Sequence, residues 1–280
     1  MTEGLSAGVL EIQPHELVSR LLQATGQDGP GAVDPSALLD FLKLRFLSVE
    51  FATTLATAFP EAGTDVRALL SFPDRLVAVD TALGPKRIRF SVLHEIGHYV
   101  LPSHRHALYL CDAEGLGARA RLSFEIEANR FAADLLFKGA RFSLEANGEP
   151  VSARTVKALA LRYDASFEAT ARRLVERHHR PVLLAVFRPE ADRALIDDSG
   201  RQQWRVRHCA TSPSFRVRWF ATLSGVAPVA VTAELTAGTR DVGDGLVADL
   251  PLEGAPGERF RAEWFFNRHH VMALVTPGIG

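Results

Sequence analysis

Cysteine is scarce: the 280 residues contain only Cys111 and Cys209. They lie far apart, with no second cysteine near either, which argues against a disulfide scaffold and against a thiolate zinc knuckle. Excess charge of either sign is also missing. The 32 basic and 33 acidic side chains leave a net charge of -1, so the whole molecule is no electrostatic trap for nucleic acid. No stretch approaches the ~18 unbroken apolar residues of a membrane span. The start, Met-Thr-Glu-Gly-Leu-Ser-Ala-Gly, has no basic residue and no apolar run before a cleavage site, so the expectation is a cytoplasmic protein. Internal repeats and low-complexity tracts are absent as well.

What is present is ordinary globular material, with 47% hydrophobic and 23% charged residues and enough length for two or three compact units. A short helix is expected at Pro14 to Ala24 and a loop over Asp28 to Pro35. Apolar residues from Leu38 to Leu55 recur broadly at helical spacing, predicting a long helix from Ser36 to about Ala58. Strands are expected at Arg75 to Val79 and Lys86 to Phe90. A helix from Ser91 to Leu101 follows, with Ser91 as N-cap and Pro102 limiting its end. Another strand is read at Ala107 to Cys111. A helix runs from Ala118 to Lys138, closed by Gly139. Two shorter helices, Ala153 to Arg162 and Phe167 to His178, are separated by a turn in which Ser166 caps the second. Beyond Pro181 the texture becomes strand-rich: Val182 to Phe187, Gln203 to His208, Phe215 to Leu223, Val229 to Leu235, Leu246 to Leu250, Phe260 to Phe266 and His270 to Thr276. The fold class is α+β: a mixed unit, a small helical unit, then a strand-rich one.

Chemistry concentrates in Phe90-Ser-Val-Leu-His94-Glu95-Ile-Gly-His98-Tyr-Val-Leu. Residues four apart share a helical face, so His94 and His98 can bring two imidazoles to one metal, with Glu95 beside the first as the catalytic carboxylate. Zinc suits neutral imidazoles, and catalytic zinc sites commonly use three protein ligands; manganese is the alternative ion. Gly97 lowers helix propensity and is best explained by close packing against another element. The third ligand must come from elsewhere. Glu125 and Glu127 on the downstream helix are two residues apart and cannot share a face, so one of them is expected to reach the metal. Spacing prefers Glu125, and Asn129, four residues on, could hydrogen-bond a ligand. His104 and His106 fall beyond Pro102 and read as loop residues at the rim. With Tyr99 they are candidates for contacting the transition state.

The pairing of His94-Glu95-Ile-Gly-His98 with Glu125-Ile-Glu127-Ala-Asn129-Arg-Phe-Ala-Ala-Asp-Leu-Leu resembles the ImmA/IrrE metallopeptidases, over about residues 36 to 178. That resemblance implies Glu125 as third zinc ligand and Glu95 as catalytic glutamate. The whole arrangement is most similar to the family's radiation-response regulators from Deinococcus. It implies a zincin-like peptidase domain at 1–148, a helix-turn-helix-like domain at 149–180 and a GAF-like sensor domain at 181–280. It also implies site-specific cleavage of a DdrO-like transcriptional repressor, with release of DNA-damage-response genes. Family members often carry a proline soon after the Leu-Leu pair, where Phe137-Lys-Gly stands here.

The segment from Val151 to Leu174 has helix-turn-helix character. A DNA-reading helix would begin near Ser166 and present Thr170, Arg172 and Arg173. Scaffold or partner docking, through Arg172 and Arg173, is preferred over direct DNA binding. Trp204, Trp219, Trp264, Phe265 and Phe266 read as core or pocket lining, and His178, His179, His208, His269 and His270 as surface or core histidines rather than a second metal site. Cys209 reads as a buried structural thiol. The C-terminal unit's ligand is not legible. The competing function is a non-proteolytic transcription activator or binding protein with a structural metal.

Overall fold

The computed structural model describes residues 13–51, 66–104, 118–189, 203–219, 229–230, 246–249, 258–266 and 270–278. The chain divides into two compact units, Met1–Gly139 and Ala140–Gly280.

In the first unit, helices α1 (Pro14–Ala24) and α2 (Pro35–Leu42) both begin on a proline, whose fixed φ suits the first helical position. Asp34 caps α2 by accepting from the Ser36 amide. The long helix expected from Ser36 to Ala58 is not formed. Lys43 adopts a left-handed conformation that ends α2, and the chain continues as strand β1 (Arg45–Val49). The rest of that expected helix, residues 52–58, lies outside the described residues. Strand β1 pairs in parallel with β3 (Leu76–Asp80), and β2 (Ala68–Ser71) pairs antiparallel with β3's other side, giving the order β1-β3-β2. The central strand carries the buried Val77, Ala78 and Val79.

Helix α3 (Pro85–Val100) replaces the strand expected at Lys86 to Phe90, and Ser91 lies inside it rather than at its cap. Gly84 precedes the Pro85 start, which is again a proline at the first position. A further helical turn opens at Pro102, carrying Ser103 and His104. Helix α4 (Ala118–Leu136) ends as expected at Gly139, whose φ of 53° follows Lys138 at 52° and whose amide donates to Asp134. The buried stripe Ala128, Phe131, Ala132 and Leu135 follows helical periodicity and packs α4 on α3. A Cβ at Gly97 would meet Phe131 Cδ1 at 3.3 Å and the Ala128 carbonyl at 3.4 Å, which is the close approach the sequence implied. The strand expected at Ala107 to Cys111 lies outside the described residues.

The second unit contains α5 (Ala140–Asn147), α6 (Ala153–Arg162), α7 (Phe167–Arg177) and a six-stranded sheet. Ser152 and Ser166 cap α6 and α7 by accepting from the amides of Thr155 and Ala169. The sheet order is β6 (Val229–Ala230), β5 (Gln203–Thr211), β4 (Leu183–Pro189), β9 (Val271–Pro277), β8 (Phe260–Phe266), β7 (Leu246–Asp249), antiparallel throughout. Leu183 to Phe187 of β4 are wholly buried, so this central strand is covered on both faces. One face meets α8 (Pro213–Trp219) in a cluster of Phe187, Phe215, Trp219, Phe260 and Trp264. The other meets α7, where the Phe167 and Phe265 rings lie 4.8 Å apart.

The expected strand Phe215 to Leu223 is instead α8 through Trp219; its remainder is outside the described residues. Ser212 Oγ accepts from the Phe215 amide, and Pro213 fills the first helical position. Cap and proline therefore outweigh the alternating pattern of Phe-Arg-Val-Arg-Trp.

Candidate metal centre

Helix α3 delivers two imidazoles and α4 delivers one carboxylate. His94 Nε2 and His98 Nε2 lie 3.1 Å apart. Glu125 Oε2 is 3.3 Å from the first and Oε1 is 3.4 Å from the second. Ring nitrogens and carboxylate oxygens converge here, and among the described residues only His94, His98 and Glu125 form such a metal-competent group. Two imidazoles and one carboxylate fit a divalent transition-metal ion. The packing that produces this set is local: Gly97 lets α4 approach α3, and Glu125 lies one turn before Ala128 on the packed stripe.

Burial holds both imidazoles in the neutral form that ligates metal. It is the main cause for His98, pushed down to about 3 with help from the charges of His94 and His104. His94 is also lowered by burial, against the opposing pull of Glu125 and a hydrogen bond with Asn129. Glu95 is 8% exposed, and burial followed by the Glu125 charge raises its pKa to about 7.

The site opens on a cleft of about 580 Å³. Its walls are His94, Glu95, His98, Glu125 and Asn129 on one side and Ala68, Leu69 and Leu70 of β2 with the flanking residues 66, 67 and 72 on another, with Phe90 and Ser91 completing it. Among the described residues β2 pairs with β3 alone, so a strand edge with backbone donors and acceptors borders the metal group. The sequence reading missed this strand. The strand it expected just before the metal-binding motif, at Lys86 to Phe90, is helical.

The remaining candidates separate. Asn129 lines the cleft beside His94. Tyr99 stacks on Phe72 at 5.7 Å, with the Arg75 guanidinium 5.8 Å from its ring, and is not among the cleft-lining residues. His104, expected at a loop rim, is in fact 1% exposed on the turn after α3. Its Nδ1 lies 2.9 Å from His98 Nδ1, and its Nε2 lies 3.2 Å from Glu127 Oε2. Glu127, the carboxylate that does not reach the metal group, thus has a partner of its own. The spacing of two histidines across Pro102 was the available signal. His106 lies outside the described residues.

In the second unit, Arg172 is half-exposed and pairs with Glu176 at 3.5 Å. Arg173 is 6% exposed and Thr170 fully buried, so neither is presented to a docking partner or to DNA as expected. Helical phase explains this, because both fall on the face of α7 that carries Leu174 and Ala171 inward. Arg177 is a last-turn residue of α7. Trp219 and Trp264 are core residues, as read. His208 and His270 both approach Glu168, at 3.5 and 3.3 Å.

Residues 53–175 match the sequence model of the family Peptidase_M78, described as the IrrE N-terminal-like domain. Among solved structures, one described as a Mycobacterium tuberculosis transcriptional regulator is similar at a TM-score of 0.53 and 12% identity, over 94% of this chain and 75% of that one. At that identity the likeness concerns the fold alone. No curated protein matches the chain significantly.

Proposed function

We propose, from the premise that the chain carries a peptidase M78 domain of the IrrE N-terminal type at residues 53–175, that it is a zinc-dependent endopeptidase cutting a transcriptional repressor. The observation that carries the reading is the convergence of His94, His98 and Glu125 beside a buried Glu95, in a cleft bordered by a strand edge.

His94 and His98 would hold zinc through Nε2, and Glu125 through its carboxylate; manganese satisfies the same donors less specifically. When bound, the ion supplies Lewis acidity at the scissile carbonyl and at a nearby water. Glu95 takes a proton from the attacking water and passes it to the departing amine. The edge of β2 that is unpaired among the described residues receives an extended substrate segment as an added strand, which fixes the scissile bond over the metal group. Asn129 lines the cleft beside these three ligands, within reach of a bound substrate or water.

The substrate we favour is a DdrO-like repressor, whose cleavage induces DNA-damage and radiation-response genes, with the enzyme acting in the cytoplasm where such a repressor works. A transcriptional-regulator structural neighbour is compatible with this regulatory setting. We take α6 and α7 as a helix-turn-helix-like element serving docking rather than DNA reading, with Arg172 as its exposed basic contact. The six-stranded sheet flanked by helices would be a GAF-like sensor domain. Purified protein loaded with zinc or manganese is incubated with the repressor and followed by intact-mass analysis. Two fragments summing to the repressor plus one water are expected, and none after chelation. An intact repressor with either ion would count against the proposal.

A further inference from the structure

His98 has both ring nitrogens engaged, and the second engagement leads away from the cleft. Its Nδ1 lies 2.9 Å from Nδ1 of His104, and His104 Nε2 lies 3.2 Å from Glu127 Oε2. Ser103 Oγ donates to that same oxygen at 3.3 Å. The imidazole of His104 is almost wholly enclosed, at 1% exposure, and packs against the Phe124 ring at 4.7 Å. By contrast, Nδ1 of His94 is buried with no hydrogen-bond partner among the described residues.

These contacts fix proton positions by elimination. An ionised carboxylate only accepts, so His104 Nε2 carries a proton and donates to Glu127. A neutral His104 then has a lone pair on Nδ1. Two facing Nδ1 atoms at hydrogen-bond distance need one donor and one acceptor, so the proton between them belongs to His98 Nδ1. That leaves a lone pair on His98 Nε2, the atom 3.4 Å from Glu125 Oε1 and 3.1 Å from His94 Nε2.

We propose that Glu127 and His104 are positioning residues that hold His98 in its Nδ1-protonated tautomer and aim its Nε2 lone pair at the metal. Hydrogen bonds of this kind orient a ligating imidazole and raise its basicity. The assignment rests on the reading that His94, His98 and Glu125 bind a metal. It also gives the second glutamate of Glu125-Ile-Glu127 a role different from the first: one carboxylate serves the metal group, the other serves a ligand through a histidine.

Zinc affinity of the full chain, measured by competition with a chromophoric chelator, tests this without reference to proteolysis. Glu127→Gln is the safer variant, because the residue is partly exposed and the swap keeps its shape. Its carbonyl can still accept from His104 Nε2, but without the carboxylate's charge, and the flipped amide would donate there and set two Nδ1–H groups against each other. Zinc affinity should fall about 10- to 100-fold, the usual effect of losing such a partner. His104→Leu should do the same, while His104→Gln, whose amide both accepts and donates, should recover most of the loss. Circular dichroism of the metal-free variants controls for folding. Wild-type affinity in both Glu127→Gln and His104→Leu, within about twofold, would overturn the assignment alone. Absence of zinc binding by the wild type would overturn the metal reading and the assignment with it.

Discussion

Gly97 sits so close to Phe131 that a Cβ on it would come within 3.3 Å of the ring's Cδ1. Phe131 is 1% exposed and the adjacent Ala128 contact is backbone, so neither neighbour can retreat freely. The spacing between α3 and α4 is thereby set one residue before His98. On the opposite helix, Glu125 inherits that spacing. Gly97→Val should therefore overpack the contact, costing about 1–3 kcal/mol of stability, and should also weaken zinc binding by moving Glu125 away from the imidazoles. Gly97→Ala sets a helix-propensity gain of about 1 kcal/mol against a milder clash, so its stability should stay near wild type. Chemical denaturation paired with a zinc competition assay reads both effects. A Gly97→Val protein of wild-type stability and affinity would show that the contact does not set the site.

Ser166 accepts from the Ala169 amide and satisfies one of the free donors at the start of α7. Ser166→Ala should lower stability by about 1 kcal/mol, and Ser166→Asp should retain most of it. Because Glu168 already stands in that first turn, added acidic charge has limited room to help. Urea unfolding monitored by circular dichroism distinguishes the two variants. An alanine variant as stable as wild type would mean the cap contributes nothing measurable.

Glu263 accepts from the Ala153 amide at 3.1 Å, joining β8 to the first residue of α6. Burial is the main cause raising its pKa, opposed by that hydrogen bond and by Arg261 and Arg154. A raised folded-state pKa means the folded protein favours the neutral acid. The stability tied to that form is fully present below the ordinary carboxyl range and is lost as pH rises through the folded value. Glu263→Gln keeps an acceptor for Ala153 without the charge. Its melting temperature should match wild type near pH 4 and exceed it at pH 7. A variant less stable at pH 7 than at pH 4, relative to wild type, would reverse the sign argued here.

Cys209 is held up at about 11 by burial, so roughly one thiol in a few thousand is ionised at pH 7.5. In a Cys111→Ser background, iodoacetamide labelling of the folded protein should be slow at neutral pH and accelerate as pH is raised. Rapid labelling at pH 7.5, at the rate of an exposed thiol, would contradict this. A redox-sensing role would need the opposite electrostatics.

The candidate ligands His94 and His98 were legible because one helix carries both at a spacing that geometry enforces, whereas spacing only preferred Glu125 over Glu127 and the family resemblance implied it. Gly97 was legible for a related reason: a helix-weakening residue inside a strong pattern implies contact. What escaped was decided by tertiary partners. Apolar residues from Leu38 onward suit a helix, yet Lys43 turns left-handed and β1 forms because β3 offers a parallel edge. The helices beginning at Pro85 and Pro213 were read as strands over part of their length, although a proline at the first helical position announced each one. His104 looked like a loop residue because Pro102 reads as a stop. Its burial depends on Phe124 and Glu127, which arrive from another helix.

The most direct test is the rate of repressor cleavage by Glu95→Gln, with zinc content matched to wild type. Glutamine keeps the shape of Glu95 and leaves His94, His98 and Glu125 in place, so the variant should bind zinc normally. Its cleavage rate should fall by about 10²- to 10⁴-fold, the scale of a lost general acid–base group. A zinc-loaded Glu95→Gln protein that cuts the repressor at the wild-type rate would contradict the assignment of this centre as the peptidase site.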